Sequence, residues 1–152
     1  MGMQSVVSAG AGFLIAVLWF DLMFDVQVLR HPHGELPEAV LASIAGYYRR
    51  VTTEARPMNR LVAVVMVTTV AAIVVQLIRG DAPRWVSAAS AVTALVPIGL
   101  AGGRTVPSAV RLGARQDSRA AQSSLARSVC RDHLFCVAGI ATLLLVQLIA
   151  AR

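Results

Sequence analysis

Four long apolar runs dominate this sequence, and a chain that carries them has few ways to fold. They extend from about Val6 to Leu29 (VVSAGAGFLIAVLWFDLMFDVQVL), from Leu61 to Ile78, from Trp85 to about Ala101 and from Leu134 to Ala150. A bilayer core about 30 Å thick is crossed by roughly 20 apolar residues of helix, so each run is of spanning length. Hydrocarbon offers no partner to a free peptide group, and the short alternating strands of a closed barrel are missing, so each run is expected to be helical. The fold class predicted is all-α. It is an integral membrane four-helix bundle with amphipathic cytoplasmic segments, forming one domain over residues 1–152.

Composition removes the main alternatives. With 57% hydrophobic and 14% charged residues the chain is too apolar for disorder, which needs the reverse balance. Fourteen basic residues, all of them Arg, outnumber eight acidic ones. A basic balance of that kind invites a nucleic-acid reading, but the apolar runs are too long for it, and no nucleic-acid partner is expected. Cys130 and Cys136 stand six apart, which matches neither a disulfide framework nor a zinc spacing, and they read as two reduced, small hydrophobes. No Lys or Arg precedes the first run, and Asp21, Asp25 and Arg30 follow its apolar core in place of a small-residue cleavage site. It is therefore read as a retained helix.

Arginine sets the expected orientation, because cytoplasmic loops are enriched in positive charge. The first connection holds five Arg (Arg30, Arg49, Arg50, Arg56, Arg60), the tight turn RGDAPR two, and the third connection six (Arg104, Arg111, Arg115, Arg119, Arg127, Arg131). The reading is a multi-pass protein of a bacterial inner (plasma) membrane, both termini outside, with Trp85 at the outer interface. In the first connection Pro37 suits an opening helical turn. Val40, Leu41, Ile44, Tyr47, Tyr48 and Val51 then recur near helical spacing up to Pro57, as an amphipathic helix on the membrane or over the bundle. In the third, Arg111, Arg115 and Arg119 recur every four residues. They are expected on one helix face, suited to anionic headgroups or simply solvated. There is no internal repeat.

Helices in lipid associate through small residues and interhelical hydrogen bonds. Ser8 and Gly12 with Gly10 between them, then Ser87, Ala91 and Ala94, then Ala138 and Thr142, are the expected small faces. Gln76 and Gln147 fall at similar depth and are expected to bond to each other. Pro97 and Gly99, followed by Gly102 and Gly103, predict a kink or an early end to the third span.

The chemistry concentrates at Asp21 and Asp25 in WFDLMFD, four apart and so on one helix face. Carboxylates in or near hydrocarbon need interior partners and are functional candidates by default. Asp21 lies about sixteen residues into the span, and Asp25 near a boundary that water reaches. The topology brings Asn59, Arg60, Arg104, Arg131, Asp132 and His133 to the same end. The candidate site is therefore Asp21, Asp25 and His133 as charge or proton carriers, with Arg60, Arg104 and Arg131 as bidentate counter-ions and Asn59 and Asp132 as further binding groups. A metal site from the two Asp with His133, or with His31 and His33, is disfavoured, because HPH is a short loop and no HxxxH or ExxH lies on a helix. No GxSxG, P-loop or Cys/His nucleophile pair supports a common hydrolase or NTPase.

Three functional readings follow. The first is a polar cytoplasmic-side pocket that binds or processes a lipophilic small molecule. The second is an oligomeric ion- or proton-coupled transporter or channel that uses the Asp pair. The third is an accessory subunit of a larger membrane complex. A purely structural polar network that fixes helix register is the alternative to all three. The bilayer is the one partner the sequence implies directly, and no cofactor is specified.

The order YYRR, PMNR into the second span, a short outer turn, VPSAVR and RDHLF at the fourth span resembles a family of small four-span bacterial membrane proteins related to anthrone-oxygenase-like proteins. The resemblance is one of architecture over most of the chain. It implies a compact four-helix bundle, with some relatives acting on aromatic polyketides without metal or flavin, and His133 as the position nearest to a family-like polar residue.

Overall fold

Helix lengths sort the molecule into two layers. The computed structural model describes residues 2–151. Helix α1 (Met3–Asp25) continues through a 3-10 turn (Val26–Arg30), and α2 (Glu38–Arg49) passes through a π-helical turn (Arg50–Glu54) to α3 (Arg56–Arg79). Helix α4 (Arg84–Leu100) runs through a second π turn (Ala101–Thr105) into α5 (Val106–Ala114), and α6 spans Arg119–Ala150. Four stretches are long and apolar enough to cross a membrane: Met3–Arg30, Pro57–Arg79, Arg84–Ala114 and Arg119–Ala150. At 1.5 Å per residue the last is about 48 Å long, well beyond a hydrocarbon core of about 30 Å. The surplus lies at the end where α1 and α4 finish and α3 and α6 begin, and there it joins α2 and α5 in a cap.

In the bundle, α1 packs on α3 and α6, and α4 packs on the same two helices. Its core is Val7, Ala11 and Leu14 of α1, Ala72 and Ile73 of α3, Ala94 of α4, and Ile140 and Leu143 of α6. Large apolar side chains such as Trp19, Phe20, Val67, Ile78, Trp85, Val92, Leu145 and Ile149 are exposed, as suits helices surrounded by lipid. The expected small faces are only partly used. Ser87 and Ala94 are buried, but Gly12, Ala138 and Thr142 face outward. The close approaches fall one or two residues away. A Cβ on Gly10 would collide with Thr69 Oγ1, and one on Gly139 would sit 2.5 Å from Pro97 Cγ. At the far end Gln147 Nε2 donates to Gln76 Oε1 (3.3 Å) and Ser90 Oγ (2.8 Å), and Gln4 Nε2 donates to the Gln147 carbonyl (2.7 Å).

Among its described residues, helix α3 fully buries side chains only in its second half. Thr69, Ala72, Ile73 and Gln76, at i, i+3, i+4 and i+7, are buried, whereas no residue from Pro57 to Thr68 is. In the first half Val62, Val65 and Met66 pack only partly against the core, and this looser packing leaves a gap. Of the kink or early end expected at the Pro/Gly stretch of the third span, the early end is not seen. Pro97 lacks the N–H of a regular turn, and the chain absorbs the irregularity in the π turn Ala101–Thr105 before continuing to Ala114.

The cap is built like a small water-soluble domain. Leu41, Ile44, Ala45 and Tyr48 line the buried stripe of α2, which opens after Pro37 as its N-cap. Leu41, Ile44 and Tyr48 meet Val28, Leu36, Ala109, Leu112, Ala126, Val129 and Cys130 in one apolar core. The expected common face of Arg111, Arg115 and Arg119 is not formed. Arg115 takes a left-handed conformation (φ 55°) that ends α5, and Arg119 opens α6. Each is held within the cap: Arg111 by Asp117 at 3.0 Å, Arg115 by Glu38 at 2.5 Å, and Arg119 by the Leu36 carbonyl at 3.0 Å.

Candidate functional site

Where cap meets bundle, the two carboxylates of α1 are brought against two tyrosines and a histidine. Residues four apart share a face, and α2 crosses that face with the adjacent pair Tyr47 and Tyr48. Tyr47 Oη donates to Asp21 Oδ1 (2.7 Å) and Tyr48 Oη to Asp25 Oδ1 (2.6 Å). His133 of α6 lies between the carboxylates, with Nδ1 at 2.7 Å from Asp25 Oδ2 and Nε2 at 3.9 Å from Asp21 Oδ2. Tyr48 Oη is also 3.3 Å from His133 Nδ1. The result is a chain of polar groups, Tyr47, Asp21, His133, Asp25 and Tyr48. Phe24 stacks on Tyr47 with ring centroids 4.2 Å apart and planes at 10°, which fixes the outer tyrosine.

Burial first, and the neighbouring carboxylates second, push both phenols well above their ordinary value, Asp21 acting chiefly on Tyr47 and Asp25 on Tyr48. Both therefore remain hydrogen-bond donors through the physiological range.

The two carboxylates differ in access, in the reverse of the expected sense. Asp25 was expected near water, yet it is 0% exposed, because α2 and α6 cover it. Asp21 instead lines a cavity of about 480 Å³ in the gap left by the first half of α3. The walls are apolar side chains of all four long helices, including Phe13, Val17, Met58, Val62, Met66, Ile98 and Ile140, and the rim includes Val51 and Ala101 of the two π turns. Tyr47, Tyr48 and His133 face it together with Asp21, whereas Asp25 does not line it.

The expected guanidinium counter-ions are not the partners of Asp21 and Asp25. Arg60 is exposed on the loosely packed first half of α3, and Arg131, two residues from His133, lies about 200° around the helix from it. Both are exposed and make no hydrogen bond or ion pair among the described residues. Arg104 Nε pairs instead with Asp132 Oδ2 (3.3 Å), which also accepts from Thr105 Oγ1 (3.3 Å), while Arg104 Nη2 donates to Ser128 Oγ (2.6 Å). Asn59 lies at the cavity and donates to the Thr52 carbonyl (3.1 Å). Among the described residues no group of three or more His, Cys, Asp or Glu converges as for a metal ion. Cys130 and Cys136 are free and buried.

The tyrosines are what the sequence reading missed, since their apolar rings satisfied the helical periodicity and drew attention away from their hydroxyls. The available signal was two phenols on the amphipathic helix expected on the membrane or over the bundle, at the same end of the molecule as the two carboxylates. Chemically, the site offers an acceptor open to the cavity (Asp21), an imidazole in reach of both carboxylates, and a sealed carboxylate that orients the imidazole.

Comparison of the chain with protein-family models, curated proteins and solved structures finds no match.

Proposed function

We propose that this is a multi-pass membrane protein that holds a lipophilic small molecule in the cavity beneath the cap, with the ligand's polar end at Asp21 and Tyr47. The observation that carries this reading is the coincidence of an apolar cavity, open between helices that lipid would surround, with one polar wall containing a carboxylate, two phenols and an imidazole. Asp21 accepts a hydrogen bond from a ligand hydroxyl. His133, held by Asp25 and Tyr48, takes or returns a proton next to it, which is the step that would turn binding into processing. The Arg-rich connections lie in the cap, so the charge rule puts the cap in the cytoplasm of a bacterial cell and both termini outside. The resemblance to anthrone-oxygenase-like proteins would make the ligand an aromatic polyketide, whereas the cavity asks only for an apolar body with one polar end.

The test is titration of the detergent-extracted protein with a fluorescent naphthol as a phenolic, lipophilic probe. Saturable binding is expected. Asp21→Asn should weaken it about tenfold, the value of a hydrogen bond to a charged group, while Asp132→Asn, outside the cavity, leaves it unchanged. Equal affinity in wild type and Asp21→Asn would refute the reading. Proton flux in liposomes that vanishes in Asp21→Asn, without probe binding, would favour a transporter in its place.

A further inference from the structure

A second site lies outside the cavity, on the opposite side of α6 from His133. Ser124, Arg127, Ser128 and Arg131, at i, i+3, i+4 and i+7, form one face of that helix, and Arg104 reaches over it from the second π turn to line a surface notch with them. The notch is unusual in its charge balance. Asp132 offsets Arg104, but Arg127 and Arg131 have no carboxylate partner among the described residues. Arg127 spends Nη2 on the carbonyls of His31 (2.9 Å) and Gly34 (2.7 Å), and these neutral acceptors leave its full positive charge in place. Its Nε is buried without a partner. Two hydroxyls and two unbalanced guanidiniums in a concave surface make a receptor for a tetrahedral anion.

What lies next along the same face identifies the source of that anion. One turn beyond Arg131 the stripe continues through Phe135, Ala138, Thr142, Leu145 and Ile149, all exposed. The face passes without interruption from a basic notch to a lipid-facing apolar track. Free phosphate would use only the first part. We propose that the notch binds the phosphate of an anionic phospholipid, whose acyl chain lies along the second half of α6. The notch thereby does what the Arg111, Arg115 and Arg119 series, consumed in contacts within the cap, does not.

The test compares retention of phosphatidylglycerol and of phosphatidylcholine with the same acyl chains by the detergent-extracted protein, read by native mass spectrometry. Phosphatidylglycerol is expected to be retained preferentially. Arg131→Gln removes an exposed, unpartnered side chain, so the fold is left intact, and retention should fall about fivefold, as for one arginine at an anionic surface. Arg30→Gln, an exposed arginine at the same end of the molecule but outside the notch, should leave it unchanged. Unchanged retention in Arg131→Gln, or an equal fall in Arg30→Gln, would overturn the proposal. So would displacement of the lipid by inorganic phosphate, since that would make the notch a soluble-anion site.

Discussion

The bundle and the cap solve the same packing problem with opposite materials. In the cap, large apolar side chains such as Leu36, Leu41, Ile44 and Leu112 are inside, and Arg–carboxylate pairs such as Arg115–Glu38 are outside. In the bundle the aromatic side chains Trp19, Phe20 and Trp85 are exposed, and the interior mixes Leu14, Ile73, Ile140 and Leu143 with small Ala residues and with polar Thr69, Ser87, Ser90, Gln76 and Gln147. Water pushes apolar groups together, as in the cap, whereas lipid, the surroundings proposed for the bundle, has no such preference. The contrast shows that a helix's polarity pattern reports its solvent. The polar cluster falls where the two layers meet, because there the cap supplies donors to the carboxylates carried on α1.

The sharpest way to break the comparison is to make the same cavity in both layers. Leu41 in the cap and Leu143 in the bundle are both fully buried. Leu41→Ala should lose both the transfer and the cavity contributions, about 2–5 kcal/mol. Leu143→Ala should lose only the packing contribution and fall at or below the bottom of that range, since the truncated side chain's alternative surroundings are lipid. Unfolding in mild detergent can be read layer by layer, because the chain's two tyrosines are Tyr47 and Tyr48 of the cap and its two tryptophans are Trp19 and Trp85 of the bundle. Equal losses would mean that the bundle is held together by the same force as the cap.

A smaller effect tests the junction itself. Both tyrosines have phenols raised above the ordinary value of about 10. The folded state therefore binds their protons more tightly than the unfolded state. The resulting stability is complete below pH 10 and declines as the pH rises above it, by at most about 1.4 kcal/mol per phenol per pH unit. In an alkaline titration followed by phenolate absorbance, neither tyrosine should ionise near pH 10. Both should do so together at higher pH, when the cap opens. An early, independent step would show that the hydroxyls of α2 are not bound to Asp21 and Asp25. Asp25→Asn should bring Tyr48 to lower pH and Asp21→Asn should act mainly on Tyr47.

The two layers were not equally legible in the sequence. Spans could be read because spanning length and apolarity are local properties, and the Gln76–Gln147 contact because helix count and depth fix which residues meet. The meeting of Asp21, Asp25 and His133 followed from topology in the same way. Their tyrosine partners did not, because that required the direction in which α2 crosses α1, which periodicity does not contain. The misplaced counter-ions have a similar cause. Whether Arg60 faces in or out depends on how loosely the first half of α3 packs on the bundle, a tertiary feature with no signature in a uniformly apolar run. The Arg111, Arg115 and Arg119 series failed for a local reason, the left-handed residue at Arg115 that splits one apparent helix into two.

The smallest effect concerns the bundle's own polar contact. Gln147 is fully buried and donates to both Gln76 and Ser90, while its Oε1 has no partner. In water-facing architecture such an amide would cost more than it returns, and Gln147→Leu would stabilise the fold outright. In a bundle surrounded by lipid, the unfolded helices also seek partners for their amides, and interhelical side-chain hydrogen bonds average only about 0.6 kcal/mol. Gln147→Leu should therefore shift bundle stability, read from the tryptophans, by about that amount and leave the tyrosine signal of the cap untouched. A loss several times larger, or one that spread to the cap, would mean that the glutamine contact holds the register of the helices along their whole length. The gap beside α3, and with it the cavity, would then depend on a hydrogen bond at the opposite end of the molecule.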